Sequence, residues 1–439
     1  MQILIYSSNS SSRLVYILDE LFGSLLGVSY QLSHDYPYFL SQQDRPRLLY
    51  LNTPPSDLSI PCIPASNLLF ESNIHQQNPK LGTWEGYPTL FATATPEKTL
   101  PFDLLSASFF LLSRYEEYLP VQRDQFDRFP AQESIAVKHR FLQQPLINQW
   151  VLAFAKWMQS FYPKLLFQLP SYQFLPTYDI DMAWAFLHKG WKRQLGALAR
   201  SGINRQLKRF LLQIQVQLGF KQDPYYCFSY LDEIHQPYKQ KPTFFFLLAD
   251  HGPYDKNSSI HNSSFQQLIR KLSKQFSFGI HPSMQSNHSI DILKTELSRL
   301  QTITGSSVQK SRQHFLKLSF PTTYRNLLQI GISEDYSMGY ADAIGFRASI
   351  ASSFKWFDLE ANEATDLKVI PFQVMDVSLR HYLELTPEEA SAAIHQLITT
   401  CKSVGATFCS LWHNSSFAHF EGWSPWEVVY SQMIEEASS

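Results

Sequence analysis

The 439-residue chain is long enough for two units that each bury a core. With 44% hydrophobic and 15% aromatic residues, its composition excludes a disordered polypeptide. A formal charge of −1 gives no global attraction to nucleic acid or membranes, so any electrostatic preference must come from local patches, and nucleic acid is set aside as a partner.

No apolar run reaches the roughly 20 residues that cross a bilayer. The opening Met-Gln-Ile-Leu-Ile-Tyr reads as a strand and not as a leader, so cytoplasmic residence is the expectation. Cys62, Cys227, Cys401 and Cys409 lack C-x-x-C spacing and read as buried thiols in a reducing compartment, with one disulfide as the alternative.

In chain order, residues 1–165 read as a first, smaller α/β domain of unknown role. Residues 2–6 and 47–51 are predicted strands, and 12–26 has helical periodicity through Val15, Leu18, Leu21, Phe22 and Leu25. Residues 54–64 read as a loop and 84–91 as a hairpin or short strands. Two helices, 103–117 and 145–160, are joined by a connection rich in Asp, Arg and Gln. At its start, Arg114-Tyr115-Glu116-Glu117-Tyr118 reads as a solvated helix end closed by i, i+3 and i, i+4 pairs, with a binding role as the alternative.

Residues 163–170, with proline at both ends, read as a linker to a second domain over 172–435. There, short apolar runs (174–178, 243–248, 278–280, 369–372 and 407–411) alternate with helical segments. That repetition predicts a parallel α/β sheet or barrel with its chemistry at the C-terminal strand ends.

The polar residues fall at those ends. Asp179 and Asp181, in Thr177-Tyr178-Asp179-Ile180-Asp181, share one face of a strand end. Carboxylates that close repel unless a cation holds them ionised; one would then be its ligand and the other free to take a proton from water. A strand-end turn whose aspartate caps a helix is the alternative. Asp250 and His251 end the second run, and His281, in Gly279-Ile280-His281-Pro282, ends the third, where an imidazole joins Asp181 on a metal or is simply structural. Arg312 and His314, two residues apart, offer a guanidinium for a carboxylate and a second imidazole. Asp335-Tyr336-Ser337 and Gly345-Phe346-Arg347 are expected near turns beside a pocket. Asp376 and His413 are an acid/base pair in prospect, a carboxylate being the usual way to fix an imidazole's tautomer.

The ordered series TYDID, GIHPS, RQH, a late Asp and LWH resembles the polysaccharide deacetylase family, the NodB-homology carbohydrate esterases, over about residues 172–430. The N-terminal third resembles an uncharacterised domain that precedes this module in some bacterial proteins. The resemblance implies a distorted (β/α) barrel of about seven strands, with Asp179 as general base, Arg312 orienting it, His413 as general acid and Asp376 steering His413. It also implies a divalent ion, zinc in the first instance, held by Asp181 and His281. The implied activity is metal-assisted removal of an acetyl group from an N- or O-acetylated sugar in glycan or envelope metabolism.

The chain departs from the pattern four residues after His281, where Gln285 replaces a second metal-binding histidine, and the third motif lacks the R-x-P-Y form. His314 and His251 are the alternatives for the third ligand, and an extended segment aims His314 to the same side as Arg312. A catalytically degraded relative that binds glycan through the same groove is the second reading.

Between Met182 and Gln222 there is no Asp or Glu, while Lys189, Lys192, Arg193, Arg200, Arg205, Lys208, Arg209 and Lys221 supply eight positive charges among Trp184, Trp191, Leu207, Phe210, Leu211 and Ile214. The stretch 189–221 is expected either to meet an anionic glycan or membrane surface, or to pack its apolar side and solvate its charges.

Overall fold

A computed structural model describes residues 2–53, 59–94, 98–190, 206–238, 241–419 and 422–439. The chain opens on a parallel sheet of β1 (Ile3–Ser7), β2 (Tyr30–Ser33), β3 (Arg47–Leu51) and β4 (Cys62–Pro64), ordered β2-β1-β3-β4. Between β1 and β2 the Ser11 hydroxyl accepts from Leu14 N and starts the helix Ser12–Leu18, which widens into a π-turn over Asp19–Leu25. β5 (Gly82–Trp84) and β6 (Tyr87–Thr89) form a hairpin. Its turn, Glu85-Gly86, has both φ values positive (50° and 82°), as a two-residue hairpin loop requires.

The helix expected over 103–117 is shorter. Asp103 caps it, it runs Leu104–Leu112, and Arg114 at φ 52° turns the chain into a 3-10 turn, Tyr115–Tyr118. That turn is not the solvated helix end expected from its sequence. Glu117 is buried, accepts from Arg114 Nε at 2.8 Å, and takes a bidentate pair from Arg347 at 2.9 and 2.6 Å. Both arginines are buried too, so one carboxylate bridges the N-terminal unit to the later Gly345-Phe346-Arg347 turn. Removing one partner of such a buried set strands the others without water; Glu117→Gln is therefore expected to cost about 3–5 kcal/mol. Urea unfolding of the variant measures this, and a loss below about 1 kcal/mol, the range of exposed pairs, would count against the bridge.

The second sheet has nine strands ordered β12-β13-β11-β10-β9-β8-β7-β15-β14. They are β7 (Gln173–Ile180), β8 (Thr243–Phe246), β9 (Ser277–Ile280), β10 (Lys310–Ser311), β11 (Glu334–Asp335), β12 (Phe354–Asp358), β13 (Glu363–Val369), β14 (Val374–Met375) and β15 (Thr407–His413). All neighbours pair in parallel except β12 with β13. The architecture is mixed α/β, but the expected closed barrel is not formed. The sheet is open, with β12 and β14 as its edges, and Ile370-Pro371-Phe372-Gln373 crosses from the β13 side to β14 outside any ladder. Pro371 has no N–H to donate there, which disfavours a regular strand across the gap.

Helices cover the sheet, among them Ser263–Gln275, Ile290–Thr304, Pro387–Ser403 and Trp426–Ser438. Thr386 and Glu389 form a capping box on the third of these. Gly279 on β9 marks a close approach: a Cβ there would lie 2.6 Å from the Lys310 carbonyl oxygen and 2.7 Å from the Phe245 ring.

One hydrophobic core runs through both parts of the chain. Phe357 on β12 packs on Tyr16 at 5.0 Å and on Phe109 at 5.1 Å, and Tyr16 donates to the Lys355 carbonyl at 2.7 Å. The stretch read as a linker thus joins parts that pack on each other. Cys62, Cys401 and Cys409 are buried, Cys227 is partly so, and all four are free thiols. Among the described residues no helix is long and apolar enough to cross a membrane.

Candidate metal centre

Parallel pairing in register aligns the strand ends. Asp179 ends beside His413 across the β7–β15 ladder, and Asp181 follows one residue after β7. His281 follows β9 directly, and Arg312 follows β10. Asp179, Asp181, His281, His314 and His413 line a single cavity of about 170 Å³, walled by Phe315, Leu316, Ala341, Met375, Val377, Tyr382 and Arg128.

Asp181, His281 and His314 come within metal-sharing distance of one another. His281 Nδ1 lies 2.6 Å from the Arg312 carbonyl oxygen, which only accepts, so Nδ1 carries the proton and Nε2 of the neutral ring is bare. That Nε2 is 3.4 Å from Asp181 Oδ1. His314 repeats the arrangement: Nδ1 is 2.8 Å from the buried Asp255 carboxylate, and Nε2 faces Asp181 Oδ2 at 3.8 Å. Two ligands on a tetrahedral ion with bonds of about 2.1 Å stand roughly 3.4 Å apart. Asp181 Oδ1 is buried and has no hydrogen-bond partner among the described residues, so its lone pairs are uncompensated by protein. Burial would raise the Asp181 carboxyl, but the positive charge of His314 and His281 in their protonated forms outweighs it and holds the group well below the usual carboxylate range. A divalent cation would take over that role once the rings are neutral. Two imidazoles fixed through Nδ1, one ionised carboxylate and one open side therefore suit a divalent cation.

Two ion pairs flank this triad. Asp179 Oδ1 accepts from Arg312 Nη1 at 3.0 Å, while its Oδ2 lies 3.7 Å from His281 Nε2. Arg312 is fully buried; Nε donates to the Tyr336 carbonyl at 2.9 Å and its guanidinium lies 4.6 Å over the Phe245 ring. On the other side His413 Nδ1 donates to Asp376 Oδ1 at 2.8 Å, and Asp376 Oδ2 accepts from His413 N and from Ser416 Oγ. Burial would depress the His413 imidazole, but Asp376, and then Asp181 and Asp179, push it up to about 10.

Of the two alternatives for a third ligand, His251 does not enter the cavity. It is exposed, and Asp250 beside it turns outward to Arg299, whose Nη2 donates to both its carboxylate oxygens at 2.9 and 3.0 Å. Gln285 is likewise exposed, with its amide against Gly252. Asp335 and Ser337 stand behind the site: Ser337 Oγ donates to Asp335 and accepts from Gln313 N at 2.8 Å, fixing the segment between Arg312 and His314. Asp255, which orients His314, was not singled out in the sequence. It lies in a stretch of Asp, Asn and Ser that carries no mark beyond that of a turn. After His314 the backbone is strained: Phe315 and Leu316 have φ of 60° and 55°, conformations that cost non-glycine residues about 1–2 kcal/mol each.

Of the basic stretch, Trp191, Lys192, Arg193, Arg200 and Arg205 lie outside the described residues. The helix Leu207–Gln217 turns Gln213 and Val216 inward, and Leu207, Leu211, Leu218 and Phe220 are exposed beside Lys208 and Lys221.

Residues 3–163 match the model of a family of unknown function, DUF7033. No curated protein matches the chain. Among solved structures, it is similar to a protein described as a polysaccharide deacetylase from Mycobacterium smegmatis, at 14% identity over 62% of this chain and 85% of that one, with a TM-score of 0.39. It is also similar to a 4-alpha-glucanotransferase from Thermococcus litoralis (12% identity, 61% of this chain and 37% of that one, TM-score 0.34). A third likeness is to a polysaccharide deacetylase from Bacillus cereus (12% identity, 47% and 79%, TM-score 0.27). Similarity this distant leaves the chemistry to be read from the side chains of the cavity.

Proposed function

We propose that this protein is a metal-dependent hydrolase that removes an acetyl group from an N- or O-acetylated sugar. The observation that carries the reading is the convergence of Asp181, His281 and His314, both imidazoles fixed at Nδ1 and bare at Nε2, in one cavity with the Arg312–Asp179 and Asp376–His413 pairs. The choice of an acetylated sugar rests on the motif series, of which Asp179, Asp181, His281 and His413 line this cavity. A protein that only bound glycan would have no use for a carboxylate that faces two imidazole Nε2 atoms, one on each oxygen, and leaves its buried Oδ1 without a hydrogen-bond partner among the described residues. The cytoplasm is the proposed compartment, and the exposed apolar and basic surface around Lys208 and Lys221 is the proposed contact for an anionic glycan or membrane surface.

Asp181, His281 and His314 would hold a divalent ion, zinc first among them. Such an ion supplies Lewis acidity, polarising an acyl oxygen and easing deprotonation of water. Asp179, held by Arg312, takes the proton of the attacking water, whose oxygen adds to the acetyl carbon. His413 gives its Nε2 proton to the leaving nitrogen or oxygen as the bond to the sugar breaks, and acetate departs. Asp376, on Nδ1, keeps that imidazole protonated and aimed, as the raised His413 pKa reflects.

The test is metal content by plasma mass spectrometry, followed by acetate release from a panel of N- and O-acetylated glucosamine and xylose oligomers. Near-stoichiometric zinc or another divalent ion with acetate release is expected. A protein that takes up no metal after dialysis against several divalent ions would sink the mechanism.

A further inference from the structure

We infer that the N-terminal unit completes the metal centre, with Arg128 as a positioning residue that clamps the turn carrying His314. The inference rests on the metal-centre reading above. Two left-handed non-glycine residues directly after His314 persist only where their surroundings over-determine them. The polar connection of the N-terminal unit supplies that restraint.

Residues 124–128 close on themselves. Asp124 Oδ1 accepts from Phe126 N and Arg128 N at 2.9 Å each, and Asp124 N donates to the Arg128 carbonyl at 3.0 Å. From this closed loop the Arg128 guanidinium spreads over three acceptors: Nη1 donates to the Phe315 carbonyl at 3.0 Å, Nη2 to the Tyr382 hydroxyl at 3.2 Å, and Nε to Asp124 Oδ2 at 2.7 Å. Phe126 adds its ring, 5.0 Å from that of Phe315 and 4.8 Å beneath the guanidinium. Tyr254 packs on both phenylalanines, and Asp127 reaches Lys317 at 3.4 Å.

These contacts bear on residues one and three positions after the candidate ligand. Arg128 itself is buried and lines the cavity. Released from them, the turn would relax toward ordinary backbone conformations and carry His314 Nε2 away from Asp181. Only a planar fork of donors meets three acceptors at once; a lysine ammonium in its place would reach fewer.

The experiment uses full-length Arg128→Met, Arg128→Lys and Phe126→Leu, titrated with Co(II) and followed by visible absorption, which reads the ligand set. Thermal melting of the metal-free proteins is the folding control. Arg128→Met is expected to bind Co(II) about 10–100-fold more weakly, the range for loss of an outer partner, and with an altered spectrum at saturation. Arg128→Lys should recover part of the affinity, and Phe126→Leu should show a smaller loss that reads the clamp even if Arg128→Met does not fold. A merely structural role would lower the melting temperature and leave the saturated spectrum as in the wild type, which would overturn the inference, as would wild-type affinity in the folded variants. Wild-type protein that takes up no Co(II) would overturn the metal centre itself and the clamp with it.

Discussion

His314→Ala is expected to weaken zinc binding by more than about 100-fold, beyond what loss of an outer partner costs, and to abolish hydrolysis, whereas Gln285→Ala leaves both unchanged. The two residues compete for one role on sequence grounds, because Gln285 stands where the deacetylase pattern has a histidine. Geometry separates them: Nε2 of His314 faces Asp181 at 3.8 Å with Nδ1 tied to Asp255, while Gln285 lies exposed against Gly252. Alanine at 314 removes a nitrogen donor, and among the described residues the candidate ligand set then holds only Asp181 and His281. For the same reason Gln285→His should not rescue His314→Ala. Competition with a chromophoric chelator measures each affinity, and zinc binding that survives His314→Ala while failing in Gln285→Ala would reverse the assignment.

What was legible in the sequence was whatever a short period or a strand end controls. Asp179 and Asp181 reach one cavity because residues two apart share a strand face. His281 and His413 reach it, and Arg312 comes to stand behind Asp179, because parallel strands in register bring their C-terminal ends together. What was not legible depends on partners far along the chain. An Arg-Glu pair three residues apart reads the same whether wet or dry, and only Arg347, 230 residues from Glu117, makes it a buried bridge. Asp255 and Arg128 acquire their places through contacts with His314 and Phe315, 59 and 187 residues away, which no local periodicity encodes. Barrel closure failed as an expectation because alternating strands and helices specify parallel order but not whether the last edges meet, and the crossing at Pro371 lies between them.

Asp179→Asn is expected to lower kcat by about 10²–10⁴-fold with metal occupancy intact, the span attributed to a lost general base. The amide keeps an oxygen for Arg312 Nη1 but has no lone-pair basicity to take a proton from water, and the three residues that would hold the ion are untouched. The substitution also leaves the fully buried Arg312 guanidinium without its counter-charge, so the variant should be less stable, and activity must be compared at a temperature where both proteins are folded. Asp376→Asn separates base from acid. His413 acts protonated, so activity falls as pH rises through its pKa, which Asp376 does most to raise. Without that carboxylate the imidazole loses its proton at lower pH, and the alkaline limb of kcat/KM moves down. Asp179→Asn removes the base and leaves His413 its Asp376 partner, so the alkaline limb of its residual activity should move down less than in Asp376→Asn, Asp179 being the smallest of the three carboxylate contributions to the raised His413 pKa. Full turnover in metal-loaded Asp179→Asn would remove Asp179 from the reaction; an alkaline limb that stays put in Asp376→Asn would remove His413 as the proton donor.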